Sequence, residues 1–302
     1  MSHEKNLIDR IAMGDIFRRK AATAPNSDAL IEDRNGETLR LTHLQLNQSL
    51  NRVAHLLRDL GIKAGDKVAL AGPNSIEFAL SIYGCMKGGF VVVPLNHLQG
   101  TEDLVYTLNH CEAKAIFIED SLTEKFDPIR ADVADVKHWI NLAVTGCDVA
   151  DHYLDFQTLL DQSSDEEIID IKINDRDPLQ ILYTSGTTSK PKGVETSHLA
   201  LFVNTLAAAI DLGVKPKMRG TAVMPMFHCA QHLVSTTLLH VNGSVLIVRT
   251  FDPKVMLETI QREKIQFMFL LPLMWKAFLD VPNVKDYDLS SMQVGMEGNS
   301  LM

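Results

Sequence analysis

The chain has 302 residues, of which 46% are hydrophobic and 22% are charged, with 17 Gly and 11 Pro. This composition is typical of a globular protein and excludes wholesale disorder and fibrous repeats. The formal net charge of −9 excludes an overall basic surface for nonspecific binding to nucleic acids or anionic membranes. The four cysteines are widely separated and form no CxxC pair, which disfavours a disulfide scaffold or a zinc knuckle and favours a reducing compartment.

The start of the chain carries no recognisable targeting signal. Residues 1–21 mix basic with acidic side chains and lack the apolar centre of a secretory signal. The longest apolar stretch, residues 267–275, is far shorter than the roughly 20 residues that span a bilayer. We therefore expect a cytoplasmic protein without a transmembrane segment.

The first part of the chain alternates between predicted helices and strands. Thr42 and Gln45 have the spacing of a capping box, and apolar residues then recur at helical spacing until Gly61. Asn74 and Glu77 repeat this spacing before a second apolar helix, which Gly88 and Gly89 end. The flanking segments predict strands at 67–71, 90–93 and 115–118 and a helix at 101–110.

An acidic segment without strong periodicity, residues 148–177, interrupts this alternation. We interpret it as a solvated face or a seam between subdomains, because its carboxylates show no fixed ligand spacing for a metal. The sequence therefore predicts one subdomain over residues 1–175 and a second over residues 176–302.

The alternation resumes after the acidic segment. A strand is predicted at 179–183, followed by a polar loop and, directly after the loop, an apolar helix at 198–210. Asp252 caps a later helix that has Pro253 at its first position. Further strands are predicted at 221–224, 244–248 and 265–270, with a helix at 229–241. The alternation predicts an α/β fold of stacked, mostly parallel sheets with flanking helices.

The polar loop within residues 183–198, Y-T-S-G-T-T-S-K-P-K-G-V-E-T-S-H, is the most informative segment. It combines two glycines and two lysines with the hydroxyl groups of Thr184, Ser185, Thr187 and Thr188. Such a loop can surround a polyphosphate with N–H, hydroxyl and ammonium donors. A Walker-type loop counted from Gly186 would need glycine at position 191, where this chain has Pro191. An ordinary surface loop is the alternative, although such a dense set of donors rarely follows an apolar strand.

Residues 184–194 closely resemble the signature of the AMP-binding, adenylate-forming enzymes, which include acyl-CoA synthetases, aryl-CoA ligases and luciferases. Ser189 departs from the signature, where glycine is usual. The resemblance continues over most of the chain, in the family's order, at residues 41–42, 66–70, 73–75, 88–96, 225–228 and 287–291.

The resemblance implies the N-terminal part of the adenylate-forming fold, with the C-terminal domain absent. It also implies a two-step reaction in which a carboxylic acid reacts with ATP and the acyl-adenylate then reacts with coenzyme A. It assigns phosphate and nucleotide contacts to Thr184, Ser185, Gly186, Thr187, Thr188 and Lys192. Thr188 is the expected contact to Mg²⁺, and Lys192 is also expected to act in catalysis. Lys190 and Glu195 are second choices, for which surface exposure is the simpler explanation.

His228 is the second expected catalytic residue, because residues 225–228 resemble the family segment that places a histidine beside the acyl group. His228 and His232 have the i, i+4 spacing of a metal pair, but no HExxH glutamate or third ligand is evident. Cys229 is interpreted as core packing. The apolar residues Ala230, Leu233, Val234 and Leu238 suit a fatty or aryl tail, and equally a buried helix face.

The last residues correspond to the start of the family's adenine site. Gly298, Asn299 and Ser300 match the expected nucleotide contacts, whereas Leu301 stands where proline is usual. The family's later motifs do not follow, which favours the N-terminal portion of a fatty-acid or aryl-acid CoA ligase, incomplete for catalysis alone. The alternative is a truncated, non-catalytic module that binds a nucleotide or a partner. The sequence leaves the acid substrate and the oligomeric state open.

Overall fold

The structure is a computed structural model that describes residues 3–184 and 190–298. In chain order the strands are β1 (Asp28–Arg34), β2 (Glu37–Thr42), β3 (Lys67–Ala71), β4 (Val91–Pro94), β5 (Ala115–Glu119), β6 (His138–Leu142), β7 (Leu154–Asp155), β8 (Pro178–Tyr183), β9 (Gly193–Ser197), β10 (Arg219–Ala222), β11 (Ser244–Ile247), β12 (Phe267–Leu270) and β13 (Val294–Glu297). The helices are α1 (His3–Asp9), α2 (Gly14–Thr23), α3 (His43–Asp59), α4 (Ile76–Gly88), α5 (Thr101–His110), α6 (Thr123–Phe126), α7 (Phe156–Gln162), α8 (His198–Asp211), α9 (Cys229–His240), α10 (Pro253–Glu263) and α11 (Pro272–Leu279).

Within the described ranges the strands form two sheets, which confirms the predicted α/β class. The six-stranded sheet has the order β13-β12-β10-β11-β1-β2, and the seven-stranded sheet has the order β7-β6-β5-β3-β4-β8-β9. Among the strands described, only β1–β2 and β8–β9 pair antiparallel. The other pairs are parallel, so most strands of each sheet present their carboxyl ends at one edge.

Each sheet takes strands from both sides of residue 175. β1 and β2 join β10–β13 in the six-stranded sheet, and β8 and β9 join β3–β7 in the seven-stranded sheet. The division into residues 1–175 and 176–302 stays a prediction about subdomains, and it does not coincide with the division between the sheets.

The two sheets share a core with α3 and α4. Leu30 of the six-stranded sheet and Val68 of the seven-stranded sheet belong to the same buried cluster as Leu50 of α3 and Tyr83 of α4. Burial of apolar surface stabilises a fold by about 25 cal/mol for each Å² removed from water. This shared core is therefore the main contribution that holds the two sheets together.

Two of three local signals around α3 and α4 are confirmed. The Thr42 side chain accepts from the Gln45 N–H, and the Gln45 side chain accepts from the Thr42 N–H, so the capping box forms as predicted. Gly89 ends α4 with φ of +76°, a conformation that favours glycine. The predicted cap at Asn74 is wrong by one residue, because Ser75 accepts from the Phe78 N–H instead.

The prediction that a helix directly follows the polar loop is wrong. β9 lies between the loop and α8, so the loop connects two antiparallel strands and the helix does not follow it directly. The first three residues of β9 are exposed. An exposed edge strand has little apolar alternation, which explains why periodicity did not indicate it.

The acidic segment lies against α3 and α4. The Glu167 carboxylate is 2.8 Å from Nζ of Lys87, and the Asp170 carboxylate is 2.9 Å from a guanidinium nitrogen of Arg58. Asn51 donates to the Asp165 carbonyl oxygen at 2.8 Å. Much of the acidic segment is therefore packed against basic and amide side chains.

Over residues 3–184 and 190–298, none of the helices combines the length and apolar character needed to cross a membrane.

Candidate active site

A cavity of about 640 Å³ lies between elements of the two sheets. Leu95 and Asn96 line it just after β4, Thr184 lines it just after β8, and Phe227 and His228 line it from the chain that follows β10. The carboxyl ends of parallel strands are where open α/β sheets commonly bind ligands. The structure therefore brings two predicted site residues, Thr184 and His228, to one cavity.

Asn74 holds the segment that leads to His228. Its Nδ2 donates to the carbonyl oxygens of Ala222 and Met224 at 3.1 and 3.0 Å, and its Oδ1 accepts from the Met226 N–H at 2.8 Å. Asn74 follows β3 of one sheet, whereas these partners are Ala222, the last residue of β10 of the other sheet, and two residues that follow β10. The residue predicted as a helix cap therefore connects the sheets and fixes the backbone beside the cavity.

Two further side chains, those of Gln231 and Arg249, support this segment. Gln231 accepts from the Met224 N–H at 3.1 Å. Arg249 donates to the Asn74 carbonyl oxygen at 3.2 Å and to both carboxylate oxygens of Glu119 at 2.9 and 2.8 Å. Hydrogen bonding to Glu119 raises the pKa of Arg249. Sequence reasoning missed Gln231, Arg249 and Glu119 as positioning residues. The partners of Arg249 and Glu119 are far away in the chain, and the contact of Gln231 with Met224 follows no recognisable sequence pattern.

His228 is the N-cap of α9. Its Nδ1 accepts from the Ala230 N–H at 3.3 Å, so the ring proton of the neutral imidazole is assigned to Nε2. The side chain is exposed and lines the cavity. A histidine held in this tautomer can donate from Nε2 to an oxygen of a ligand.

The beginning of α9 forms part of the cavity wall. Cys229 and Ala230 line the cavity, and Cys229 is exposed, so its interpretation as core packing is wrong. The N–H groups and the dipole at the first turn of a helix favour an anion such as a carboxylate. This end of the cavity combines a histidine N–H donor with a favourable electrostatic environment for a carboxylate.

The predicted tail residues divide into two groups. Ala230 and Leu233 line the cavity, whereas Val234 and Leu238 are buried in the core shared by the sheets. One turn of α9 therefore faces a ligand site, and the following turns pack against protein.

The described ends of the polar loop pair with each other. The Thr184 N–H donates to the Lys192 carbonyl oxygen at 3.0 Å, and the Lys192 N–H donates to Oγ1 of Thr184 at 3.3 Å. Lys192 is exposed and does not line the cavity. Four other predicted phosphate contacts, Ser185, Gly186, Thr187 and Thr188, lie outside the described residues.

Lys190 and Glu195, the two second-choice residues, lie away from the cavity. Nζ of Lys190 lies 4.6 Å from the centroid of the Tyr106 ring, a cation–π contact. Glu195 is exposed on β9 opposite Ile181 and does not line the cavity.

Gly298 is separate from this cavity. It follows β13, the edge strand of the six-stranded sheet, and a Cβ at this position would lie 3.1 Å from the Phe269 ring. The lack of a side chain at Gly298 therefore lets the chain pass close to Phe269. This packing role is independent of any contact between Gly298 and a nucleotide. Asn299 and Ser300, the other predicted adenine contacts, lie outside the described residues.

The AMP-binding enzyme family model matches residues 17–302, almost the whole chain. The chain belongs to this family. The named resemblance and the predicted fold are thereby confirmed.

Curated relatives and solved structures agree with this assignment. The chain is 27% identical over 283 residues to a feruloyl-CoA synthase of Amycolatopsis, covering 93% of this chain and 53% of the relative. It is 31% identical to 4-coumarate–CoA ligase 4 of Arabidopsis thaliana, covering 85% of this chain and 46% of the relative. The crystal structure of the N-terminal domain of FACL13 from Mycobacterium tuberculosis matches with a TM-score of 0.87 at 27% identity, covering 96% of this chain and 70% of that one. The chain thus spans about half the length of the curated relatives it matches.

Proposed function

We propose that this chain is the N-terminal portion of an ATP-dependent acyl-CoA ligase, which binds the carboxylic acid and the phosphates of ATP. The observation that carries the proposal is the single cavity lined by both Thr184, at the end of the polar loop, and His228, at the beginning of α9. A ligase that joins an acid to a nucleotide needs these two ligands side by side.

On the acid side, the first turn of α9 and the Nε2–H of His228 orient the carboxylate. The apolar side chains of Leu95, Phe227 and Leu233 surround the tail and exclude water. Burial of the tail supplies the binding free energy, at roughly 0.8 kcal/mol for each buried CH₂ group.

On the nucleotide side, Thr184 and Lys192 contact the phosphates together with Ser185, Gly186, Thr187 and Thr188. A carboxylate oxygen attacks the α-phosphorus, a P–O bond forms, and the bond to the pyrophosphate leaving group breaks. In the second step the thiol sulfur of coenzyme A attacks the acyl carbon, a C–S bond forms, the C–O bond to AMP breaks, and the thiol proton is released. Lys192 stabilises the negative charge that builds on phosphate oxygens in the first step.

A magnesium ion accompanies ATP in the reaction that the family resemblance implies, with Thr188 as its expected contact. The part of the chain that the structure describes contains no group of three His, Cys, Asp or Glu side chains able to hold a metal ion. Thr188 lies outside the described residues.

Fatty and aryl acids are the substrate classes that this proposal favours. The feruloyl-CoA synthase and the 4-coumarate ligase are named for aryl acids, and the FadD13 relative of Mycobacterium tuberculosis, 29% identical, is named for long-chain fatty acids. We also propose that this ligase acts in the cytoplasm and has a role in fatty acid metabolism.

The proposal is tested by titrating ATP into the purified chain by calorimetry. We expect Lys192→Ala to weaken ATP binding about tenfold or more, because it removes a charged donor to phosphate. Lys190→Ala is the matched control: it removes the same charge two residues away, where the ammonium contacts Tyr106. Equal losses in both variants would contradict a specific contact at Lys192.

A second titration separates the proposed ligase portion from a nucleotide-binding module. In a ligase portion, ATP and a carboxylic acid occupy the same cavity, so His228→Ala should weaken the acid and leave ATP binding nearly intact. ATP binding without measurable binding of any acid would favour the non-catalytic module.

A further inference from the structure

The hairpin of β8 and β9 has two faces with different surroundings. Leu182 pairs with Val194, and both side chains line the cavity. The neighbouring pair, Ile181 and Glu195, lines a cleft of about 490 Å³ beside the end of α5. Because side chains alternate between the faces of a sheet, the hairpin has an inner face toward the cavity and an outer face toward α5.

Tyr183, the residue directly before Thr184, is hydrogen-bonded to α5. Its hydroxyl lies 2.7 Å from Nδ1 of His110, the last residue of α5. Burial raises the pKa of Tyr183, so the hydroxyl keeps its proton at neutral pH and can donate to Nδ1. Gly193 leaves room for this ring, since a Cβ there would lie 3.2 Å from Cζ of Tyr183. The beginning of the polar loop is therefore bonded to α5.

Lys190, near the other end of the polar loop, contacts the same helix. Its Nζ lies 4.6 Å from the centroid of the Tyr106 ring, and that centroid is 5.2 Å from the centroid of the His110 ring. Residues four apart in a helix lie on one face, so Tyr106 and His110 form a single contact surface. An ammonium group over an aromatic ring is a favourable contact. Both ends of the polar loop thus bind one face of α5.

These contacts add to the hydrogen bonds at the base of the hairpin. The described bonds between Thr184 and Lys192 are exposed, and water replaces an exposed bond at little cost. A ligand that must order a loop loses affinity, because the loop gives up conformational freedom on binding. Contacts that restrict the ends of the loop beforehand reduce this loss.

We propose that Tyr106 and His110 are positioning residues that hold the polar loop in place for the phosphates of ATP. Tyr106 acts through Lys190, and His110 acts through Tyr183. The inference rests on the proposed function, because it takes the polar loop as the phosphate site. Neither Tyr106 nor His110 lines the cavity, so neither takes part in the bond-forming steps.

The first test titrates ATP into the purified chain and its variants by calorimetry. Tyr106→Leu removes the aromatic face and should weaken ATP binding about threefold. Tyr106→Phe keeps that face and should retain the wild-type dissociation constant. Asn109→Leu is the matched control on α5, because the described bond of Asn109 is to the Asp132 carbonyl oxygen. This control should leave ATP binding unchanged.

Double-mutant cycles show which partner each residue acts through. Lys190→Ala alone should weaken ATP binding about threefold, less than Lys192→Ala, and Tyr106→Leu should cause no further loss in that background. Tyr183→Phe removes one oxygen atom and keeps the ring, so it should fold normally and weaken ATP binding about twofold. His110→Ala should cause no further loss in the Tyr183→Phe background. A residue that acts only through overall stability would instead weaken both backgrounds by the same factor.

The outcomes separate the two proposals. Unchanged ATP binding in Tyr106→Leu and Tyr183→Phe, or losses that multiply in the double variants, would overturn the positioning role and leave the ligase proposal standing. Tighter ATP binding in Tyr106→Leu would also overturn the positioning role, since the ring would then withhold the Lys190 ammonium from the phosphates. Failure of the wild-type chain to bind ATP would overturn both proposals.

Discussion

The two sides of the cavity are built differently. The chain before His228 is fixed by buried side chains, with Asn74 bonded to Ala222, Met224 and Met226 and with Gln231 bonded to Met224. At the end of β8, the described contacts between Thr184 and Lys192 are two exposed hydrogen bonds. A buried hydrogen bond is costly to leave unmade, whereas water replaces an exposed one at little cost.

The difference between buried and exposed hydrogen bonds indicates which half of the proposed site is ordered before a ligand binds. On the proposed acid side, contacts between the two sheets fix the chain that leads to His228. On the proposed nucleotide side, the described contacts are those at the base of a hairpin. Substitutions should therefore change stability strongly on the acid side and weakly at the base of the loop.

The largest effect is expected for Asn74→Leu. The variant leaves the Ala222 and Met224 carbonyl oxygens and the Met226 N–H without this partner, so we expect the free energy of unfolding to fall by about 3 kcal/mol. Chemical denaturation measures it. The control is Asn109→Leu, which removes one exposed bond to the Asp132 carbonyl oxygen and should cost less than about 1 kcal/mol. Similar losses in both variants would remove the contrast between the two sides.

The second effect is a loss of stability in acid from His198, at the other end of β9. Its Nδ1 accepts from the Met13 N–H at 3.2 Å, and burial, together with the nearby Arg10, lowers its pKa to about 4. The unfolded chain takes up this proton near pH 6.5 and the native chain does not, so stability is complete above pH 6.5 and is lost as the pH falls toward 4. His198→Asn should recover about 2 kcal/mol of the difference between pH 7.5 and pH 5.

The matched control for this pH profile is His152→Asn, at an exposed histidine beside Asp127. Its unfolding free energy should follow the wild-type pH dependence. Parallel profiles for the wild type and His198→Asn would show that the buried ring at 198 does not cause the loss.

A smaller effect is expected for His228, because its ring caps α9. His228→Ala removes the acceptor for the Ala230 N–H and should cost about 1 kcal/mol, whereas His228→Asn keeps a capping oxygen and most of the stability. Both variants lack the Nε2–H donor and should bind acid more weakly in calorimetry. If the alanine and asparagine variants unfold at the same denaturant concentration, the capping role is wrong.

The smallest effect is expected for Thr184→Val. It removes an exposed acceptor 3.3 Å from the Lys192 N–H, and the Thr184 backbone bond to Lys192 remains. The unfolding free energy should change by less than about 0.5 kcal/mol, while ATP binding weakens measurably. A loss comparable with that of Asn74→Leu would show that both sides of the cavity are equally fixed.

Features that depend on neighbouring residues could be predicted from the sequence. The Thr42–Gln45 capping box, Gly89 after α4 and the Asp252 cap with Pro253 all form as their spacing indicates. Each involves residues within one helical turn, where a short pattern carries most of the information.

Features that depend on distant partners could not be predicted. Asn74 looks like a helix cap in the sequence, and only the arrangement of the two sheets shows its bonds to the end of β10 and to the residues that follow. The burial of Gln180 and His232 is likewise evident only in the folded structure, because glutamine and histidine are often exposed. The phosphate contacts at Ser185, Gly186, Thr187 and Thr188 remain predictions from the family resemblance.

The exchange of strands between the sheets has a consequence for how the chain acquires its structure during synthesis. Leu30 of β1 pairs with Val245 of β11. The β1–β2 hairpin therefore cannot pair with its parallel neighbour until most of the chain has been synthesised. Until Ser244–Ile247 leaves the ribosome, that edge of the hairpin is exposed to other nascent chains. Closing such a long loop is slow, and we expect chaperone dependence to be concentrated at this late pairing step.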